Sequence, residues 1–268
     1  MSLSLKGEKW NNQHIYMAHA VLTTSDKVYS SERFARGGIG QAGVSTSPFS
    51  VWLDDWQWTS ESNEPFPAKL VAGEHNFDFN LNMTLTQKEV LQGVDGYSQK
   101  HATLNVASYY FSVPAVNVVG TLNIDGVDVE VTGKGWIDRE WSTKALNDDQ
   151  KGWDWFALQF DDGDSLVMVQ VRSENGPHRF GSLTSAKGET SMLKPEDIET
   201  MPLSFTKVGS GRYVPTHWKL ALPNHGVMIE TVPLNSQNWL AFAFPYWEGP
   251  VEVTGSKKGV GFMEATGY

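Results

Sequence analysis

No cysteine occurs among the 268 residues, which excludes disulfides, thiolate nucleophiles and cysteine-ligated zinc together. Basic charge is scarce as well: 21 Lys and Arg face 31 Asp and Glu, for a formal net charge of -10. A chain of that sign does not neutralise phosphates, so nucleic acid is excluded as a partner and an anionic membrane surface is disfavoured. Long apolar runs are missing too. None approaches the roughly 20 residues of a spanning helix, so the chain does not read as an integral membrane protein. The 7 histidines fall in no zinc-binding spacing, and neither a metal nor another cofactor is called for. Gly43-Val44-Ser45-Thr46-Ser47 lacks the second glycine of a hydrolase nucleophile elbow. Arg36-Gly37-Gly38-Ile39-Gly40 has no Walker lysine after it and reads as a loop.

What the chain has is aromatic rings and alternation. Its 11 Trp, 13 Phe and 8 Tyr suit strands and interior cavities, where flat rings cover area with little loss of rotamer entropy. Phe77, Phe79, Leu81, Met83 and Leu85 alternate with polar residues, as do Trp218, Leu220 and Leu222 around Lys219. Val167, Val169 and Val171 sit between Leu166, Met168 and Gln170. Asp125-Gly126, between Leu122/Ile124 and Val127/Val129, predicts a two-residue hairpin loop. Helical pattern is confined to Lys194-Pro195-Glu196-Asp197-Ile198-Glu199. Many strands with almost no helix specify an all-β sandwich or barrel.

A motif also occurs twice, as Gly133-Lys134-Gly135-Trp136-Ile137-Asp138 and Gly259-Val260-Gly261-Phe262-Met263-Glu264. Half a chain separates the copies, which predicts two domains, 1–147 and 148–268, divided in the polar stretch Lys144 to Gly152. Chance likeness between two glycine-broken strands is the plainer alternative.

The densest chemistry lies in Trp136-Ile137-Asp138-Arg139-Glu140-Trp141 and Gly152-Trp153-Asp154-Trp155-Phe156. Continued unbroken from the Asp125-Gly126 hairpin, alternation turns Trp136, Asp138 and Glu140 outward with Asp128 and Glu130. A β-bulge at Gly133 or Gly135 reverses that and aims Asp138 into a barrel, against an aromatic wall. The second geometry fits the aromatic load better. A carboxyl held there loses solvation, keeps its proton to higher pH, and can protonate an alkene or activate water. The alternative is structural: Asp138 and Glu140 paired with Arg33, Arg36 or Arg139. Tyr16 and His19, on the first alternating stretch, are candidates for ligand contact or for the core and rim. Val51-Trp52-Leu53-Asp54-Asp55-Trp56-Gln57-Trp58 reads as a stacking platform or as one core-and-rim strand.

These motifs, together with Gln13-His14-Ile15-Tyr16-Met17-Ala18-His19-Ala20, Glu32-Arg33-Phe34-Ala35-Arg36-Gly37, Tyr246-Trp247-Glu248-Gly249 and Glu264-Ala265-Thr266-Gly267-Tyr268, resemble the AttH family over nearly the whole chain. These are bacterial lipocalin-like proteins, labelled predicted secreted hydrolases and related to carotenoid 1,2-hydratase. The resemblance implies two tandem lipocalin-like antiparallel β-barrels with little helix. It implies a periplasmic or secreted location, with a cytoplasmic one still open, and is compatible with an ABC-type export partner. It assigns the acid to Asp138, with Glu140 beside it, and wall positions to Tyr110, Trp136, Trp153 and Trp155. The family's opening His-Pro and Glu-Trp-Trp segment has no counterpart before Trp10, so a first barrel without its first hairpin is expected. Met1-Ser2-Leu3 reads as a remnant of cloning, consistent with a removed leader. The sequence around Asp138 differs in type from that of carotenoid hydratases, so their specific reaction does not carry over.

Three functions follow. Binding of a small hydrophobic ligand, of lipid or isoprenoid type, in a barrel or inter-barrel cavity fits the aromatic load. A hydratase, lyase or hydrolase using Asp138 as general acid is the first alternative. A ligand-free structural protein is the second. A cavity of roughly 300 Å3 or more separates the first two from the third.

Overall fold

The computed structural model of the protein describes residues 2–4, 14–209 and 211–268. The opening around Trp10, and Gln13 of the first motif, lie outside the described residues. The fold is nearly all β, with antiparallel pairing throughout its main ladders and two single turns of 3-10 helix, at Pro195–Asp197 and Pro223–His225. The first of these sits in the stretch where helical pattern was expected. Among the described residues no helix is long and apolar enough to cross a membrane.

Packing divides the chain into two compact units: residues 1–22, 28–86 and 115–135, and residues 23–27, 87–114 and 136–268. In the first, an antiparallel meander runs Ala42–Thr46, Phe49–Leu53, Trp56–Thr59, Ala68–Glu74 and Phe77–Leu85, then pairs with residues 116–124. Trp56, Tyr29, Phe77, Leu22 and Ala72 form its core. The segment Val51 to Trp58, anticipated as one strand, is a hairpin instead. Asp54 takes a left-handed φ of 53°, and the chain folds back so that Trp52 lies opposite Gln57. Its rings pack rather than form a platform: Trp56 is buried beneath the Arg33 guanidinium, 4.3 Å away, and Trp58 packs edge-on against Phe49 and Phe66.

The Asp125-Gly126 loop has the two positive φ angles of a type I′ turn, 50° and 85°. The Tyr29 hydroxyl donates to Asp125 at 2.6 Å. Leu122 and Ile124 pack on the core, whereas Val127 and Val129 stay exposed. Among the described residues the strand Val127–Trp141 pairs with Ala107–Ile124 alone, and its first residues are exposed.

The second unit is built on a ten-stranded antiparallel sheet whose hydrogen-bonded path starts at Thr190–Leu193 and ends at Glu199–Lys207. Its middle strands, in order, are Gln150–Phe160, Gly259–Thr266, Tyr246–Gly255, Val227–Pro233 and Tyr213–Leu222. The first and last of these five are four strand spacings apart, roughly 19 Å on a flat sheet. Yet Phe156 on one and Trp218 on the other meet edge to face at 5.7 Å. The sheet therefore curls until its own face closes on itself. Phe156, Leu158, Phe160, Leu166, Met168, Trp218, Leu220, Leu222, Trp247 and Met263 fill that interior, each 2% exposed or less.

The packed interior and the exposed start of Val127–Trp141 lead to opposite expectations for mutation. Trp218→Ala should lower the unfolding free energy by about 3–5 kcal/mol in urea titrations, as truncation of a fully packed aromatic does. Val127→Ala, on the bare strand, should change it by less than about 0.5 kcal/mol. Comparable losses in both would contradict this assignment of the core.

Candidate functional site

Three strands of the second unit present one kind of side chain to the packed interior and another to the opposite face. On Gln150–Phe160 the residues Phe156, Leu158 and Phe160 point inward, while Trp153 and Trp155 point away. On Tyr246–Gly255 Trp247 is core and Glu248 is not; on Gly259–Thr266 Met263 and Ala265 are core, while Phe262 and Glu264 are not. This is the period-two rule of strands applied to a sheet with both faces in use.

The outward face meets residues 107–112 and 136–141, from the far ends of the two long strands. Together they enclose a cavity of about 400 Å3 lined by Tyr110, Trp136, Asp138, Glu140, Trp153, Trp155, Glu248, Phe262 and Glu264. The cavity thus lies behind the curled sheet, not in its interior, which large side chains already fill.

Asp138 gains its partners through a change of register. Thr121 bonds Glu130 and Asn123 bonds Asp128, and the same register brings Gly135 against Val116 and Val118. Continued further, it would place Ser112 opposite Arg139. Instead, Ser112 and Tyr110 both bond Asp138, so the partner strand holds one extra residue between Ser112 and Val116. A side chain at Gly135 would start 3.0 Å from the Val118 methyl, which suits glycine to the position.

The hydrogen bonds around Asp138 are directional. The Ser112 hydroxyl donates to Oδ1 at 2.5 Å and the Tyr110 hydroxyl donates at 3.0 Å. Trp155 Nε1–H donates to the Tyr110 oxygen at 3.1 Å, occupying its acceptor side. The buried Trp136 indole N–H makes no formed hydrogen bond but lies near enough to favour the Asp138 charge. Asp138 is exposed to solvent on its cavity side, while protein packs closely around its others. That enclosure prevails over the donors and raises its pKa to about 6.

Glu264 and Glu248 lie directly opposite each other across neighbouring strands, and Trp155 lies opposite Glu264 on its other side. Like charges in that relation repel. Burial first, and then the nearby carboxylates, push both pKa values well above the usual carboxylate range. Only the Trp153 indole, donating to Glu264 at 3.0 Å, and Tyr246 at Glu248 work the other way. Glu140 pairs with Lys100 Nζ at 2.7 Å, not with an arginine. Lys100 also lies 4.7 Å over the Tyr110 ring, and burial lowers its pKa.

Of the residues singled out in the sequence, Tyr110, Trp136, Asp138, Glu140, Trp153 and Trp155 line this one cavity. Tyr16 and His19 belong to the first unit, where Tyr16 packs beside Ala35, Ala42 and Leu53 and His19 bonds Glu32 at 3.0 Å. Ser112, Glu248, Phe262 and Glu264 were not anticipated at the site. The doubled motif held a signal for two of them. Trp136 and Asp138 in the first copy occupy the places of Phe262 and Glu264 in the second, and both pairs face the same cavity.

The family model described as AttH-like matches residues 3–268. The chain belongs to the AttH-like family. A crystal structure described as an AttH protein from Nitrosomonas europaea is 28% identical, with a TM-score of 0.88 covering 100% of this chain and 85% of that one. Kievitone hydratase from Nectria haematococca superposes with a TM-score of 0.76 at 18% identity, over 94% of this chain and 79% of its own. CghA with Sch210972 does so at 0.56 and 13%, over 97% and 82%. At those identities the last two likenesses speak for the fold alone. No curated protein matches the chain.

The AttH-like site makes stability depend on pH with a definite sign. Between about pH 4, where an unfolded aspartate titrates, and about pH 6, Asp138 is protonated when folded and ionised when unfolded. Folding then takes up a proton, and this contribution to stability is lost as pH rises through that window. Glu248 and Glu264 act with the same sign. The urea midpoint of Asp138→Asn or Glu264→Gln should therefore fall less between about pH 5 and pH 8 than that of the unaltered protein. Parallel pH profiles would contradict the assignment.

Proposed function

We propose that the protein admits a small, largely apolar molecule into this cavity and carries out proton-transfer chemistry on it, of the hydratase type. The observation that carries the reading is the gathering of Asp138, Glu248 and Glu264 on one aromatic-walled space. Passive storage of an apolar guest needs no such group of acids. That two fold relatives are named for a hydratase and for a complex with a small molecule is consistent with it.

Two carboxyls in unlike environments divide the work of acid and base. Glu264, with a single indole donor beside Glu248, is suited to hold a proton. Asp138, which accepts from two hydroxyls, is suited to be the anion. The family resemblance assigns the acid to Asp138; in this reading Asp138 is the base and Glu264 the acid. Hydration then runs as follows. Glu264 transfers its proton to one alkene carbon, so that the π pair becomes the new C–H bond. Positive charge develops on the neighbouring carbon, facing the rings of Trp136, Trp153 and Trp155. Asp138 takes a proton from water as the oxygen forms the C–O bond, and that proton returns to Glu264 through water in the cavity. The sum is alkene plus water to alcohol.

With a hydrophobic alkene that is turned over, Asp138→Asn and Glu264→Gln should each lower kcat by about 100-fold or more while leaving ligand binding in place. Undiminished turnover in both variants would sink the acid-base reading. Binding without conversion is the second reading, favoured by the aromatic lining. Native mass spectrometry of protein purified without detergent tests it, since a carrier should retain an unchanged hydrophobic ligand.

A further inference from the structure

We infer that the cavity behind the curled sheet selects lipophilic cations over neutral and anionic molecules of the same shape. The inference rests on the reading of this cavity as the ligand site, but not on turnover there.

Count the charges that face the space, strand by strand. Val127–Trp141 contributes Asp138 and Glu140, Tyr246–Gly255 contributes Glu248, and Gly259–Thr266 contributes Glu264. Ala107–Ile124 adds the neutral Tyr110, and Gln150–Phe160 adds the uncharged Trp153 and Trp155. Lys100, the nearby cation among the described residues, pairs with Glu140 and also attracts Asp138. Among the described residues, Asp138, Glu248 and Glu264 have no ion pair; their partners are the hydroxyls of Tyr110 and Ser112, the Trp153 indole and Tyr246. The remaining wall is ring faces and edges from Trp136, Trp153, Trp155, Tyr110 and Phe262. Glu248 and Glu264, acids without an ion pair beside aromatic rings, offer a cation both charge neutralisation and ring attraction. They offer an anion repulsion and a neutral molecule neither benefit.

A cross-strand row sharpens the point. Trp155, Glu264 and Glu248 occupy one line across three neighbouring strands, so two opposed carboxyls sit beside one indole. A positive group placed over that line relieves the repulsion between the glutamates. Binding a cation therefore favours their ionised forms, and at neutral pH it expels protons from the site.

Three probes of similar shape test this: the cation benzyltrimethylammonium, its neutral isostere neopentylbenzene, and the anion phenylmethanesulfonate. Calorimetry, with competition for the sparingly soluble hydrocarbon, should show the ammonium binding at least about 10-fold more tightly than the hydrocarbon. The sulfonate should bind more weakly than both. Titration in two buffers of different ionisation enthalpy should show proton release with the ammonium and none with the hydrocarbon. Ammonium affinity for the unaltered protein should also rise from about pH 5 to pH 8 as the carboxyls ionise. Glu264→Gln combined with Glu248→Gln should remove most of the preference and the proton release.

Equal binding of ammonium and hydrocarbon, tighter sulfonate, or no ammonium binding at millimolar concentration would each overturn the inference. The result is separable from that of the function above. A cation-selective cavity without alkene turnover keeps this inference and loses the hydratase. Turnover that the ammonium does not inhibit does the reverse.

Discussion

Asp138, Glu248 and Glu264 share a half-enclosed space in which they cannot all be ionised cheaply. Much of the arrangement around them responds to that crowding. Ser112, Tyr110 and Trp153 supply the donors that keep some negative charge tolerable, and Lys100 is drawn off to Glu140 at the edge. A fold selected only for stability would replace opposed glutamates with a packed apolar pair, because removing unpaired charge from a poorly solvated place is favourable. In the function proposed above, stability is given up at this place for chemistry.

The same strands show how that cost is contained. The curled sheet carries its solid packing on one side, anchored by Trp218 and Trp247, and the strained carboxyls on the other. Repulsion between Glu248 and Glu264 therefore acts across a backbone held by complete ladders and by Trp247 and Met263, the chain neighbours of the two acids. The single register slip belongs to the same economy. One added residue between Ser112 and Val116 brings Ser112 and Tyr110 to Asp138 without altering the hairpin that joins the two strands.

Alternation made the all-β class legible, because period-two patterning needs no tertiary information: Phe77 to Leu85 and Trp218 to Leu222 appear in the structure as they read in the chain. The Asp125-Gly126 turn was legible for a similar local reason. The glycine pair did not decide the surroundings of Asp138, because the register change that brings Ser112 and Tyr110 to it arises in the partner strand. Glu248 was hidden because an acid in Tyr246-Trp247-Glu248-Gly249 looks like ordinary strand polarity until its cross-strand neighbour is known. The Trp52 to Trp58 stretch was misread as one strand because Asp54 adopts a left-handed turn that its aromatic neighbours do not announce. The location of the cavity was likewise beyond the sequence, since periodicity assigns two faces to a strand but does not say which face is filled.

Because core and cavity take alternate residues of the same strands, the binding wall is uncoupled from the foundation. Residues 153, 155, 248, 262 and 264 can change in size or charge while their neighbours in the chain keep the sheet folded. A scaffold of this kind can acquire a new guest by repainting one side of a panel whose other side never has to be rebuilt.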